Sequence, residues 1–285
     1  TQFYPLPFEE ANLENGSLTG SIGFVYRPNT EWILSTNLAT AFRAPNVDDI
    51  GKIFDSEPGS VVVPNPNLKP EYAYNADLSI AHQFSNNFEI DVTGYYTILD
   101  DAMVRRNYNL NGNDSLMYDG VLSQVQALQN AAEAHVFGIQ VGLDSDFGNG
   151  FSLQSNFNYQ KGEEELDDGS TSPSRHAAPW FGLASLSYDQ GPFNLKLNAN
   201  FQGSKDHNEL SVSERDKSEI YALDRNGNTY SPSWYTLNFK ALYEINTNFL
   251  LSTGLENITD QRYRPYSSGI SGPGRNFIIS LNINI

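Results

Sequence analysis

The chain has 285 residues, and its 34 Asp and Glu against 17 Lys and Arg give a net charge of −17. With no basic stripe to offset that charge, a nucleic-acid partner is excluded. No apolar run approaches the ~18 residues of a membrane-crossing helix, but a mean hydropathy of −0.45 does not exclude membrane strands, which turn only alternate side chains to lipid.

Period-two alternation predicts eleven strands in chain order. Leu18, Ile22, Phe24 and Tyr26 share one face of segment 18–26, and Trp32, Leu34, Leu38 and Phe42 share one face of 32–42. Segments 71–84 and 88–98 place Tyr72, Tyr74, Leu78, Ile80, His82 and Phe84, then Phe88, Ile90, Val92, Tyr96 and Ile98, against Asn75, Asp77, Ser79, Glu89, Asp91 and Thr93. Segments 137–147, 151–160, 180–188 and 193–202 repeat the pattern, 180–188 least cleanly. Segments 235–244, 249–256 and 277–285 complete it.

Five short polar breaks separate these strands, each with an aromatic on both sides: Tyr26/Trp32, Phe84/Phe88, Phe147/Phe151, Tyr188/Phe193 and Tyr243/Phe249. Their Pro, Gly, Asn and Ser residues are hairpin-turn chemistry. All ten aromatics fall on the apolar face, where a slip of one residue would misplace them. They read as the girdle of a transmembrane barrel at the short-turn interface. The predicted fold is all-β: a transmembrane antiparallel up-and-down β-barrel, apolar outside and polar toward its lumen. A soluble β-sandwich is the competing fold, and its strands are usually shorter than these ~10-residue segments.

Long connections, 43–70, 99–134, 160–179, 203–233 and 259–274, alternate with the short turns. In outer-membrane barrels the long ones are extracellular and the short ones periplasmic. Segment 121–134 fits either a short helix or a strand extension. Bacterial single-chain barrels have even strand numbers, and an open edge in lipid leaves unpaired backbone groups. Eleven strands therefore predict half of a larger barrel, of the plugged class with about 22 strands.

Three boxes sharpen this. They are Phe42-Arg43-Ala44-Pro45-Asn46; Asn65-Pro66-Asn67-Leu68-Lys69-Pro70-Glu71; and Gly254-Leu255-Glu256-Asn257-Ile258-Thr259-Asp260, the last followed by Tyr263 and by Gly272-Pro273-Gly274-Arg275-Asn276-Phe277. In this order they resemble the C-terminal barrel region of TonB-dependent outer-membrane receptors, in wording close to those of the Bacteroidetes type. The resemblance implies a plugged barrel in the outer membrane of a Gram-negative bacterium, importing a ferric siderophore, another iron chelate, haem or cobalamin. Its partners would be the N-terminal plug and first barrel half of the same receptor, TonB acting through that plug, and outer-membrane lipid and lipopolysaccharide. Residues 1–285 would be the C-terminal part. Because the family usually ends in an aromatic, the chain is expected to continue slightly beyond Ile285. The boxes have a purely structural reading too: Phe42 as an interface anchor and the prolines as loop shapers.

Arginines concentrate on the long-loop side, where their forked donors suit anionic chelates. The candidate substrate-binding residues are Arg43, Arg105, Arg106, Tyr108, Arg175, Arg264 and Arg275. Contact with lipopolysaccharide phosphates, or with loop acids such as Glu163-Glu164-Glu165 and Asp167-Asp168, is the competing role. Residues 46–64 hold no His, which weighs against haem. His82, His135, His176 and His207 show no metal-ligand spacing. The segments Asn109–Asp114 and Asp224–Asn228 lack the twelfth-position glutamate of a calcium loop and read as turns. Ser174 beside His176 is not a triad. No catalytic residue, metal ligand or resident cofactor is assigned. A passive porin or specific channel, an outer-membrane enzyme and an adhesive receptor are the other functions considered.

Overall fold

In the computed structural model, the described residues are 6, 8, 9, 12, 14–57, 59–166, 169–175 and 177–284. His176, Asp167, Asp168 and Ile285 lie outside them. Eleven strands follow one another around a single antiparallel sheet: β1 (Ser21–Tyr26), β2 (Trp32–Arg43), β3 (Glu71–Ser85), β4 (Phe88–Asn107), β5 (Val121–Gly148), β6 (Phe151–Glu165), β7 (Phe181–Gln190), β8 (Phe193–Gln202), β9 (Trp234–Asn246), β10 (Phe249–Glu256) and β11 (Asn276–Ile283). Among the described residues β11 does not pair back onto β1, so the sheet is an open arc, a partial barrel.

Register carries the alternation across every pair. One row reads Thr36, Leu78, Gly94, Ile139, Tyr159, and the adjacent row reads Ser35, Ser79, Thr93, Gln140, Asn158. The first row belongs to the apolar face, exposed in the arc, and the second to the lumen wall. Wall side chains satisfy one another. Ser79 Oγ and Thr93 Oγ1 lie 2.7 Å apart, Thr97 donates to Asn75 Oδ1 at 2.7 Å, and Tyr95 donates to Gln160 at 3.2 Å. Gly138 allows the last contact, since a Cβ there would stand 2.6 Å from the Tyr95 hydroxyl oxygen.

The short turns close as their residues dictate. Asn149 and Gly150 take φ of 53° and 85°, the twist that favours Asn-Gly in tight hairpins. Girdle rings meet across them and between neighbouring strands. Ring centroids are 5.2 Å apart for Phe84–Phe88, 4.7 Å for Phe151–Tyr188 and 4.9 Å for Phe193–Tyr243. His82 joins this belt, stacked 3.9 Å from Trp32. A second belt lies at the other end, through Phe42, Tyr72 and Tyr74 and through Phe157, Trp180 and Phe201. The aromatics thus flank the apolar band at both ends and do not mark the short-turn side alone.

Segment 99–134 is largely strand, with only 108–120 left as a connection. β4 runs on to Asn107, and β5 begins at Val121 and covers 28 residues, so 121–134 is strand extension. Short strands Phe54–Glu57 and Ser60–Val62 dock there, the latter parallel to β5 at Gln124–Gln126. Val61, Val63, Leu110, Val125 and Ala127 form a buried cluster between them. Thr171–Pro173 folds back along Glu163–Glu165.

Candidate functional site

All seven predicted site residues lie on the long-loop side, and the structure gives most of them internal partners. Arg43 at the end of β2 pairs with Asp49 at 3.0 Å and Glu71 at 3.3 Å. It thereby ties the short helix Val47–Gly51, capped by Asn46, to β3. Arg105 lies over the Phe54 ring at 5.1 Å. Tyr108 packs against the Val61–Val125 cluster, and its backbone N–H donates to Val125. Arg106 donates to the Glu165 carbonyl at 2.7 Å, Arg264 to the Glu219 and Ile220 carbonyls at 2.7 and 3.1 Å, and Arg275 to Ile258 at 3.0 Å. They do not converge on one pocket: Arg43 and Arg105 belong to the β2–β5 side, and Arg175 and Arg264 to the β6–β10 side.

The boxes act as staples. Asn65 donates to Leu128 at 2.7 Å, and Asn130 exchanges bonds with Lys69, fastening this loop to the extension of β5. Asn257 bridges Gln261 and Pro273 while its N–H reaches Asn238, and Asp260 accepts from the Arg275 N–H. Phe42 faces the apolar side beside Tyr72, as an interface anchor would. Asp224 accepts from the N–H groups of Asn226 and Asn228, a turn. No His, Cys, Asp or Glu cluster fit for a metal occurs among the described residues.

The strongest feature was not evident in the sequence. Glu214 is fully buried and gathers donors from three loops. Tyr221 donates at 2.7 Å, Ser267 at 3.2 Å and Lys217 at 3.0 Å. Arg175 Nε stands 2.9 Å away, off its N–H axis, as an ion pair. Burial pushes this carboxyl up, but the Tyr221 and Lys217 hydrogen bonds and the Arg175 charge outweigh it and hold it below its ordinary value. Burial and donation to Glu214 push the Tyr221 hydroxyl up. Burial takes Tyr266 up to about 12 and lowers Lys205, which donates to the Ala177 carbonyl at 2.6 Å and lies over the Tyr266 ring. Beside this node Tyr221, Trp234, Arg262, Tyr263 and Arg264 line an outer cavity of about 390 Å³.

Apolar outside, polar inside, aromatic at both rims and roofed by folded loops, this arc is the wall of an outer-membrane barrel. Residues 3–258 match the family model described as "TonB dependent receptor-like, beta-barrel", and the chain belongs to that family. Members of the family are outer-membrane β-barrels of Gram-negative bacteria. Over 269 residues the chain is 25% identical to a probable hemoglobin and hemoglobin-haptoglobin-binding protein of Haemophilus influenzae, covering 88% of this chain and 25% of that protein. It is 20% identical to an iron-regulated outer membrane virulence protein of Vibrio cholerae, covering 88% of this chain and 37% of that one. The fold superposes on the siderophore receptor PirA of Acinetobacter baumannii with a TM-score of 0.70 at 19% identity, over 93% of this chain and 40% of PirA. The FrpB iron transporter of Neisseria meningitidis gives 0.66 at 16% identity, over 94% of this chain and 39% of FrpB. The chain therefore spans between a quarter and two-fifths of the proteins it resembles.

Proposed function

We propose that this chain is the C-terminal part of an outer-membrane receptor that takes up a scarce solute through TonB, and that the solute is a ferric siderophore or related iron chelate. Family membership carries the reading, and relatives named for siderophore, iron and haemoglobin point the same way. In this reading the short turns are periplasmic and the long loops extracellular. The arc is completed to about 22 strands, and its lumen is filled by a plug that couples to TonB. The loops around Arg175, Arg262 and Arg264 meet the chelate, while Arg43 and Arg275 hold loops in shape. The transport role requires no catalytic group. Haem is the second reading, favoured by the haemoglobin-named relative; a ferric chelate fits the basic loops better, because residues 46–64 contain no His to ligate haem iron.

Cells carrying the intact receptor would be given radiolabelled ferric siderophores, haem and cobalamin, with and without TonB. Saturable, TonB-dependent uptake of a ferric siderophore is expected. Uptake that persists without TonB and fails to saturate would replace this reading with a passive channel.

A further inference from the structure

The outer cavity of about 390 Å³ beside the Glu214 node is built by the loops. One wall comes from segment 218–233 and the other from 262–267, and Trp234, the first residue of β9, adds a third side. Bonds within this chain set their spacing. Arg264 Nη1 donates to the Glu219 and Ile220 carbonyls, and Tyr221 and Ser267, one from each wall, both donate to Glu214. The shape of the cavity therefore comes from these loops and not from anything seated in the lumen.

The lining runs against the composition of the chain. The sequence has 34 acids against 17 bases, yet among the described residues no Asp or Glu lines this cavity, and its two charged residues are Arg262 and Arg264. The rings of Tyr221, Trp234 and Tyr263 line it as well. Trp234 and Tyr263 have centroids 4.5 Å apart, and Gly272 seats the Tyr263 ring, which a Cβ at that position would overlap. The Tyr221 hydroxyl is committed to Glu214, so Tyr221 offers ring surface. Glu214, behind this wall, is itself answered by Arg175 and Lys217 and leaves the charge of Arg262 and Arg264 in place. Arg264 spends only Nη1 among the described residues, which keeps Nε and Nη2, the paired donors of a guanidinium fork. Ring faces and guanidinium groups in one acid-free cavity favour a group that is both flat and anionic. An aliphatic acid would leave the rings unused, and a neutral ring would leave the arginines unused. The volume stands at the lower end of the about 300–1,000 Å³ of small-molecule pockets, which suits a single substituted ring and not a whole iron chelate.

We infer that this cavity binds one anionic aryl group of the solute, a ring that carries carboxylate or phenolate oxygens. The inference rests on the uptake reading above and narrows it: the iron chelate is one whose arms are aryl anions and not hydroxamates.

The test uses the intact receptor in detergent, titrated calorimetrically with salicylate and 4-nitrocatechol, so that the two arms separate a carboxylate from a phenolate. Benzyl alcohol, a neutral ring, and cyclohexanecarboxylate, an anion without an aromatic ring, are the comparison compounds. Saturable binding of at least one aryl anion is expected, with each comparison compound bound at least about tenfold more weakly. Arg262→Gln and Trp234→Leu should each weaken aryl-anion binding on the order of tenfold. Arg262→Lys should weaken it less, and Lys69→Gln, on a distant loop, should leave it unchanged. On the unaltered receptor, a saturating aryl anion should protect Arg262 from a dicarbonyl reagent, read by mass spectrometry, and this arm decides the matter if the variants fail to fold. Absence of saturable aryl-anion binding, equally tight binding of either comparison compound, or an unchanged rate of Arg262 modification overturns the site. A receptor that takes up a ferric hydroxamate through TonB and binds no aryl anion loses this inference and keeps the uptake reading. One that binds aryl anions and takes up no chelate through TonB loses the uptake reading and keeps the cavity.

Discussion

The membrane wall and the loop cap are stabilised in opposite ways. The wall turns its large apolar side chains outward: Leu38 is 55% exposed, Ile139 49% and Leu197 41%. The cap has an interior of the usual kind, with Val61, Val125 and Leu210 at 0%. In the wall the apolar effect is delegated to lipid, and the backbone ladder does the organising. In the cap, packing organises the short strands docked on β5, and one buried carboxylate organises the segments around Leu210 that have little ladder of their own. A residue type therefore has a different worth in the two regions.

Two leucines separate the regions most widely. Leu210→Ala in the cap should lose about 4 kcal/mol, because a void is added to the lost transfer energy. Leu197→Ala on the apolar face should lose only about 2 kcal/mol, because lipid fills the gap. Urea unfolding of the receptor in vesicles, with cap opening followed by proteolysis, checks the order. Equal losses would erase the distinction.

Glu214→Gln is next. It leaves Arg175 and Lys217 without their carboxylate, and the cap should become easier to open by on the order of 3 kcal/mol. Limited proteolysis should cut 160–179, 203–233 and 259–274 together, while the wall keeps its heat-resistant gel mobility. Cleavage of one loop alone would mean that Glu214 does not couple them.

The same carboxyl gives the cap a pH dependence. It is held below its ordinary value of 4.5. Its stabilisation is therefore complete above about pH 4.5 and is lost as pH falls through the lower native value. Fluorescence of Trp234 and cap proteolysis should both report loosening below pH 4.5, and Glu214→Gln should flatten that response.

The smallest effect belongs to Arg43. Its side chain is 47% exposed although Asp49 and Glu71 are at 11% and 19%, so Arg43→Met should cost about 1 kcal/mol. Uptake of the preferred ferric chelate should change little if Arg43 only holds the loop. A large rise in KM with unchanged stability would return Arg43 to the ligand-contacting set.

The wall was legible in the sequence because strand alternation is local, and the register then had to place Ile22 beside Leu38 and Phe193 beside Tyr243. The second aromatic belt was not, because its members meet at the far ends of the hairpins, as Phe42 and Tyr72 do across a long connection, where no short turn pairs them. The extension of β4 and β5 was obscured by segments such as Gln129-Asn130-Ala131-Ala132, which do not alternate. The arginines lie on the long-loop side, but a sequence does not show that Arg264 and Arg275 spend donors on backbone carbonyls. Glu214 was invisible for a related reason: Arg175, Tyr221 and Ser267 come from three connections, and nothing in their spacing brings them together.

The 28 residues of β5 set a height. At ~3.3 Å per residue they trace on the order of 90 Å, and a tilt of ~40° still leaves a rise of roughly 70 Å, more than twice a ~30 Å hydrocarbon core. The extension paired with β4 is thus a mast, and its tip, where Met117 of Ser115–Tyr118 faces Leu122 at the start of β5, stands tens of ångströms above the bilayer. In the orientation proposed above, with the long loops extracellular, whatever approaches the cell surface here, whether solute, phage or antibody, meets this tip before it meets the pore.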